Sequence, residues 1–259
     1  MDKLSVCIVI YRNYDEVLNA VISLEKLTSK EISKKLYLVD NSEEESFEKE
    51  KFKKDIKSFK DVYYFEMNKN IGFGAGHNYL IPKFNSEYHC IMNPDIVFIE
   101  DSFSILLDFL DTHSDVGMVI PNIIGENGER QSVYREDVTI CDMFIRMFCS
   151  KHFKKRQFKH TLQYKNYAKP FDVPFGQGSF LVIRTNIFKR LKGFDENYFM
   201  YMEDADLCRR VRNVSRFMYV PYTTVIHKWE QASHKNLKLF NTHIKSMIRY
   251  FKKWGIKFI

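Results

Sequence analysis

Between Leu4 and Phe65 the chain alternates apolar runs with charged, helix-prone stretches, and few architectures accept that order. Leu4 to Ile10 is a β-branched apolar run with the character of a buried strand. It ends at Tyr11-Arg12-Asn13, where Asn13 and Glu16 fit a capping box and Val17, Val21 and Leu24 give the following helix one apolar face. Leu36 to Val39 is a second strand and closes on Asp40-Asn41-Ser42. Glu43 to Lys60 reads as a helix and Val62 to Phe65 as a third strand. Strand, helix, strand, helix, strand predicts an α/β fold around a parallel sheet, where ligands gather at the carboxyl ends of the strands. Asp40 falls at such an end, though an Asp there caps a helix as readily as it binds a ligand.

Polar motifs mark the continuation. Asn68 to Asn78 reads NKNIGFGAGHN, with Gly72, Gly74 and Gly76 alternating. Such a segment permits positive φ and close backbone approach, and its turn into a helix can bind phosphate through amides. It is neither a Walker A loop nor a GxGxxG fingerprint, and glycines also serve packing alone. Tyr88 to Met92 is a further strand, stopped by Asn93-Pro94-Asp95. Asp95 then emerges near Asp40, where a carboxylate beside an anion loop suits a hard divalent cation; an Asx turn is the structural alternative. Gly193 to Arg212 (GFDENYFMYMEDADLCRRVR) sets aromatic residues against Glu203, Asp204 and Asp206 ahead of a helical repeat. Those acids read either as helix-terminus carboxylates or as groups aimed into a cleft. Asp206 stands four residues before Arg210, the spacing of an ion pair on one helix face.

Composition narrows the class. A chain of 259 residues with 45% apolar residues can fill one large core. No apolar run reaches the roughly 18 residues of a membrane span, and the N-terminus lacks the pattern of a secretory signal. Five cysteines, odd in number and without a CxxC pair, suggest reduced thiols in a cytosolic protein. The net charge of +7 is concentrated: from Arg209 onward there are twelve Lys and Arg against one acid, and Arg146 to Lys169 holds eight with no acid. That asymmetry favours a polyanionic partner, whether nucleic acid, anionic membrane or phosphorylated substrate, over a generic solvated face. Ile140 to Phe153 reads as a helix bordering the acceptor site or the membrane. Ser233 to Trp254 is amphipathic, with Phe240, Ile244, Met247, Ile248 and Phe251 on one face and Lys238, Lys245, Arg249 and Lys252 on another. It fits a helix on an anionic bilayer and equally one docked on its own domain.

Taken in order, SVCIVIYRN, LVDNS, NKNIGFGAGHN, MNPD, GQGSFLVIR and GFDENYFMYMEDADLCRRVR, followed by His227 and Ser233, resemble the family 2 glycosyltransferases, in particular the bacterial rhamnosyltransferase-like branch. The resemblance runs from about Leu4 to Gly255 and is weakest over Ile140 to Lys169. It implies a GT-A fold, α/β with a Rossmann-like, mostly parallel central sheet flanked by helices. The expected organisation is one transferase domain over residues 1–232, with a nucleotide-sugar half to about residue 100 and an acceptor half beyond it, followed by a basic amphipathic helix over 233–259.

The resemblance also implies roles. Tyr11 would lie beside the nucleotide base, Asp40 would contact base or ribose, and Asn70, Gly72, Gly74 and Asn78 would lie by the diphosphate and donor sugar. Asn93 and Asp95 would form the family's variant of the DxD motif, with Asp95 and His227 holding Mg²⁺ or Mn²⁺. Asp204 would be the base that inverts the anomeric centre, supported by Glu203. The expected donor is dTDP-L-rhamnose and the expected acceptor a polyprenyl-diphosphate-linked glycan at the cytoplasmic face of an anionic membrane. His77, where relatives often carry Asn, and Ile10, where they often carry Thr, would lie by the donor and leave its identity less firmly fixed. A UDP-hexose donor, a nucleotidyltransferase, a basic nucleic-acid binder and a catalytically dead glycan-binding relative are the alternatives. Nucleic-acid binding lacks any recognised motif and is not expected. The oligomeric state is left open, a homodimer included.

Overall fold

The computed structural model describes residues 1–149, 152–228 and 237–259. The alternation expected from the sequence opens the chain: β1 (Asp2–Ile10), α1 (Tyr14–Leu27), β2 (Lys34–Asp40), α2 (Phe47–Ile56) and β3 (Val62–Glu66). A short helix α3 (Phe73–Asn78) leads to β4 (Ser86–Met92), β5 (Ile96–Phe98), α4 (Ser102–Thr112) and β6 (Val116–Ile124). The chain continues through β7 (Tyr134–Arg135), α5 (Ile140–Phe148), α6 (Lys154–His160), β8 (Phe171–Asp172), β9 (Phe175–Gly176) and β10 (Phe180–Arg184). It ends with α7 (Thr185–Arg190), α8 (Glu203–Arg212), β11 (Arg216–His227) and α9 (Leu237–Trp254).

The main sheet runs β3-β2-β1-β4-β10-β6-β11-β5, with β8 joined to β11. Its first four strands are parallel and their ladders are buried: Leu4, Val6, Ile8 and Ile10 of β1 are fully enclosed. Burial on both faces explains why β1 reads as a continuous β-branched run. From β10 onward the sheet is mixed, since β10 is antiparallel to β4 and β6 while β11 is parallel to β6 and antiparallel to β5. Strand β11 is bent by a register shift between Val220 and Thr224. Beyond the bend, β11 pairs His227 with Ile96. A separate two-stranded ribbon sets Arg135 of β7 opposite Phe175 of β9.

The terminal helix is docked on the domain. Tyr250 and Phe251 of α9 are buried, and Ser246 Oγ donates to the Met200 carbonyl at 2.8 Å. Asp206, fully buried in α8, pairs with Arg210 at 2.7 Å as its spacing predicted. It also accepts from Lys253 Nζ at 2.7 Å and Trp254 Nε1 at 2.8 Å. One carboxylate thus ties two helices together. Ser233, where the sequence begins this helix, lies outside the described residues.

Candidate active site

At the carboxyl end of β4, Asn93 donates its N–H to the Ser179 carbonyl at 2.8 Å, and the turn that follows delivers Asp95. Because His227 pairs in register with Ile96, its imidazole lies against that carboxylate, with Nε2 3.3 Å from Oδ2. Gln131 fixes the ring. Its Nε2 donates to the His227 carbonyl at 2.7 Å, so its Oε1, 2.8 Å from Nδ1, can only accept, and Nδ1 carries the proton. With Nδ1 held by Gln131, His227 turns Nε2 toward a carboxylate, and both Nε2 and Asp95 Oδ1 are buried without a hydrogen-bond partner. Two facing acceptors are the donor set of a divalent cation, so these residues fit the expected metal, and Gln131 is the outer support that orients a ligating histidine. Sequence reading missed Gln131; a single Gln in a turn carries no periodic signal.

Across the site, α8 begins abruptly. Tyr201 and Met202 both have φ of 69°, a left-handed conformation costly for residues with a Cβ, and the helix has no side-chain cap. This turn projects Glu203 and Asp204 from the helix's first turn onto a cavity of about 250 Å³ shared with Phe73, Asn93, Arg135 and Arg146. Asp204 Oδ2 accepts from the Gly178 N–H at 3.1 Å and Oδ1 from the Ala205 N–H at 2.8 Å, which fixes the carboxylate's aim. Glu203 is buried and its Oε2 has no partner. Burial, reinforced by the Asp204 charge, pushes Glu203 up to about 8. Burial also raises Asp204, against the pull of the two amides and of Arg135 and Arg146. Both carboxyls are pushed upward, and a proton taken up by the pair resides first on Glu203.

The other expected donor-side residues are placed differently. Tyr11 stands exposed at the end of β1. Asp40 lies beneath the cleft surface instead of on it: it is fully buried, and its oxygens accept from the Tyr14 hydroxyl at 2.9 Å, the Tyr64 hydroxyl, and the Ser42 N–H at 2.8 Å. Burial and that partnership push Tyr14 up to about 12. Asn70 Oδ1 accepts from the Gly72 N–H at 3.0 Å within the loop. Gly72 has φ of 90°, and a Cβ there would strike the Phe199 carbonyl oxygen. A Cβ on Gly74 would meet Phe194 Cβ at 2.8 Å. These glycines admit protein, not a ligand. Asn78 is spent as a clamp, with Nδ2 donating to the Phe194 carbonyl and Oδ1 accepting the Phe194 N–H, both at 2.8 Å. His77 is a core residue: fully buried, its ring 4.6 Å from that of Phe73, and held down to about 3 by burial. Ile10 is likewise interior.

A nucleotide-binding type of sheet, a carboxylate–imidazole pair at a strand end and a second carboxylate across a cavity together define a GT-A transferase site. The family model for glycosyl transferase family 2 matches residues 5–192. The chain belongs to that family. It is 30% identical over 200 residues to the Rhamnosyltransferase WbbL of Escherichia coli K12, covering 74% of this chain and 71% of the relative. It is 25% identical to the N-acetylglucosaminyl-diphospho-decaprenol L-rhamnosyltransferase of Mycobacterium tuberculosis, over 66% of this chain and 60% of that relative. A solved structure of GalNAc-T7 with UDP, GalNAc and Mn²⁺ shares the fold with a TM-score of 0.70 at 16% identity, over 97% of this chain and 48% of that one.

Proposed function

We propose that this chain is an inverting, metal-dependent glycosyltransferase, with dTDP-L-rhamnose as the favoured donor and a polyprenyl-diphosphate-linked glycan as acceptor. The observation that carries the reading is Asp204, hydrogen-bonded into one orientation on a cavity that also contains Asn93 of the Asp95 turn. Asp95 and His227 would hold Mg²⁺ or Mn²⁺, which would supply Lewis-acid neutralisation of charge on the departing nucleoside diphosphate. Asp204 accepts the proton of the acceptor hydroxyl as its oxygen attacks the face opposite the leaving group. Protonated Glu203 keeps that charge on one carboxylate. A single base with direct displacement inverts the centre, whereas retention through a covalent intermediate needs a nucleophile on the other face. Tyr11, Asn70 and Asn93 remain proposed donor contacts; Asp40, Gly72, Gly74 and Asn78 act by shaping the loop around them. The rhamnosyl donor and lipid-diphosphate acceptor are supported by the names of the two relatives.

Peripheral attachment to an anionic membrane is part of the proposal. Phe144 and Phe148 are exposed on α5 with rings 5.2 Å apart, and Phe148 lies 6.3 Å from Phe240 of α9. Lysines of both basic blocks surround that apolar patch in sequence, the pattern of an interfacial surface. Among the described residues no helix is long and apolar enough to cross a membrane.

A thermal-shift and hydrolysis screen of dTDP-L-rhamnose, UDP-hexoses and GDP-sugars, with and without Mn²⁺, tests the reading. Metal-dependent stabilisation and slow hydrolysis by the dTDP sugar support it. Indifference to every nucleotide sugar would contradict it.

A further inference from the structure

Arg135 and Arg146 are the two charged groups of the cavity that the chemistry above does not use. Arg135 comes from the β7–β9 ribbon, and its side chain is enclosed at 7% exposure. Only its Nε is engaged, donating to the Ser132 carbonyl at 3.1 Å; Nη1 and Nη2 have no partner among the described residues, yet the residue lines the cavity. Burial, with Arg146 acting in the same direction, draws this guanidinium down to about 9, so it remains charged at neutral pH. Arg146 enters from α5. No hydrogen bond or ion pair holds it among the described residues, and it lines the same cavity from the solvent side.

The fold invests in placing that second arginine. Thr139 Oγ1 accepts the Asp142 N–H at 3.1 Å to cap α5. The preceding amides, Ile140 and Cys141, donate to the carbonyls of Lys257 and Phe258 at 2.9 and 3.1 Å. The chain's last residues thus clamp the helix that carries Arg146. Two guanidiniums that share the field of the single carboxylate Asp204 but are in ion-pair contact with none among the described residues suit a polyanion, because planar donor forks match phosphate oxygens. The balance of charge agrees: two arginines face Asp204 and Glu203, and a proton taken up by that pair resides first on Glu203.

We infer that Arg135 and Arg146 form an acceptor-side phosphate subsite that grips the diphosphate of the lipid-linked acceptor beside Asp204. This rests on the transferase reading and sharpens it. Both arginines and Asp204 line one cavity, so an acceptor gripped there by its diphosphate presents to Asp204 a hydroxyl close to that diphosphate. The sugar whose hydroxyl faces Asp204 is therefore the one bonded directly to the diphosphate. The transferase then acts second in its series, on the product of a reaction that places a sugar phosphate on a polyprenyl phosphate.

The probe is decyl diphosphate, titrated calorimetrically into the full chain already saturated with dTDP and Mn²⁺. Binding that Arg146→Gln weakens at least tenfold, with the variant's dTDP affinity measured in the same preparation, is the expected result. Arg146 is solvent-facing, so this variant tests the site even where Arg135→Gln does not fold. Equal affinity in wild type and Arg146→Gln overturns the subsite. So does competition between decyl diphosphate and dTDP, which reassigns the arginines to the donor diphosphate. Failure of dTDP to bind wild type strikes the transferase reading instead, and decyl diphosphate titrated alone still reports whether the arginines hold it. A kinetic arm compares a monosaccharide diphospho-decyl acceptor with the same sugar on a phosphate-free decyl chain. A preference of about a hundredfold in wild type that collapses in Arg146→Gln supports the proposal. No preference for the diphosphate contradicts it.

Discussion

The motif residues of the parallel half of the sheet and the acids and histidine of the mixed half are partnered differently, although buried Asn41, His77 and His89 of the parallel half also keep atoms without a partner. Around β1 to β4, Asp40 is saturated by Tyr14, Tyr64 and Ser42, Asn78 is closed on Phe194, and Gly72 and Gly74 are filled by Phe199 and Phe194. Beyond β4, Glu203 Oε2, Asp95 Oδ1 and His227 Nε2 are left without partners. Unsatisfied buried polar groups cost about 1–3 kcal/mol each or more, so a fold keeps them where a ligand will satisfy them. Motif-like residues in the first half hold the shape of a donor cleft. The unpaired groups named in the second half are those the proposed chemistry uses.

Substitutions can break or sharpen that contrast. Asp206→Ala should have the largest effect on stability: it strands Arg210 and Lys253 around a fully buried site, at a cost of about 3–5 kcal/mol by chemical denaturation. A loss under 1 kcal/mol would mean that α9 is not anchored through α8. Gln131→Ala should weaken Mn²⁺ affinity about 10–100-fold by freeing the His227 ring, with little change in melting temperature. Unchanged Mn²⁺ affinity would remove Gln131, and with it the fixed tautomer, from the metal site. Gly72→Ala should cost about 1–3 kcal/mol of stability from positive φ and collision with Phe199. Lost activity at full stability would instead place that glycine against the donor, which erases the distinction between the halves.

A separate effect concerns pH. Glu203 has a folded-state value near 8, above its ordinary 4.5, so its stabilising contribution is complete below about 4.5 and is lost as the pH rises toward 8. Glu203→Gln has no proton to lose, and its melting temperature relative to wild type should rise from pH 5 to pH 8.5. A constant offset would show that Glu203 ionises normally and that the two carboxylates do not share a proton.

Much of the scaffold was legible in the sequence. The β-branched run of β1 has one interpretation because a strand buried on both faces tolerates little else, and Asp206 with Arg210 follows from helical spacing. The glycine-rich loop misled for a physical reason: alternating glycines announce close approach but not whether a ligand or Phe194 does the approaching. His77 looked like a donor-side departure and is a desolvated core ring. Arg146 was visible only as the edge of a basic block. Arg135 stands beside apolar Val133 and Tyr134, where a lone charge was a signal, but its neighbour in space comes from a different element.

The central claim is that Asp204 removes the acceptor's proton in the cavity it lines together with Phe73 and Asn93 of the first half. It is tested most directly by Asp204→Asn, with turnover of dTDP-L-rhamnose onto a lipid diphosphate acceptor and dTDP binding measured on the same sample. The claim predicts a fall in kcat of about 10²–10⁴-fold with dTDP affinity and fold intact. Turnover within threefold of wild type would contradict it.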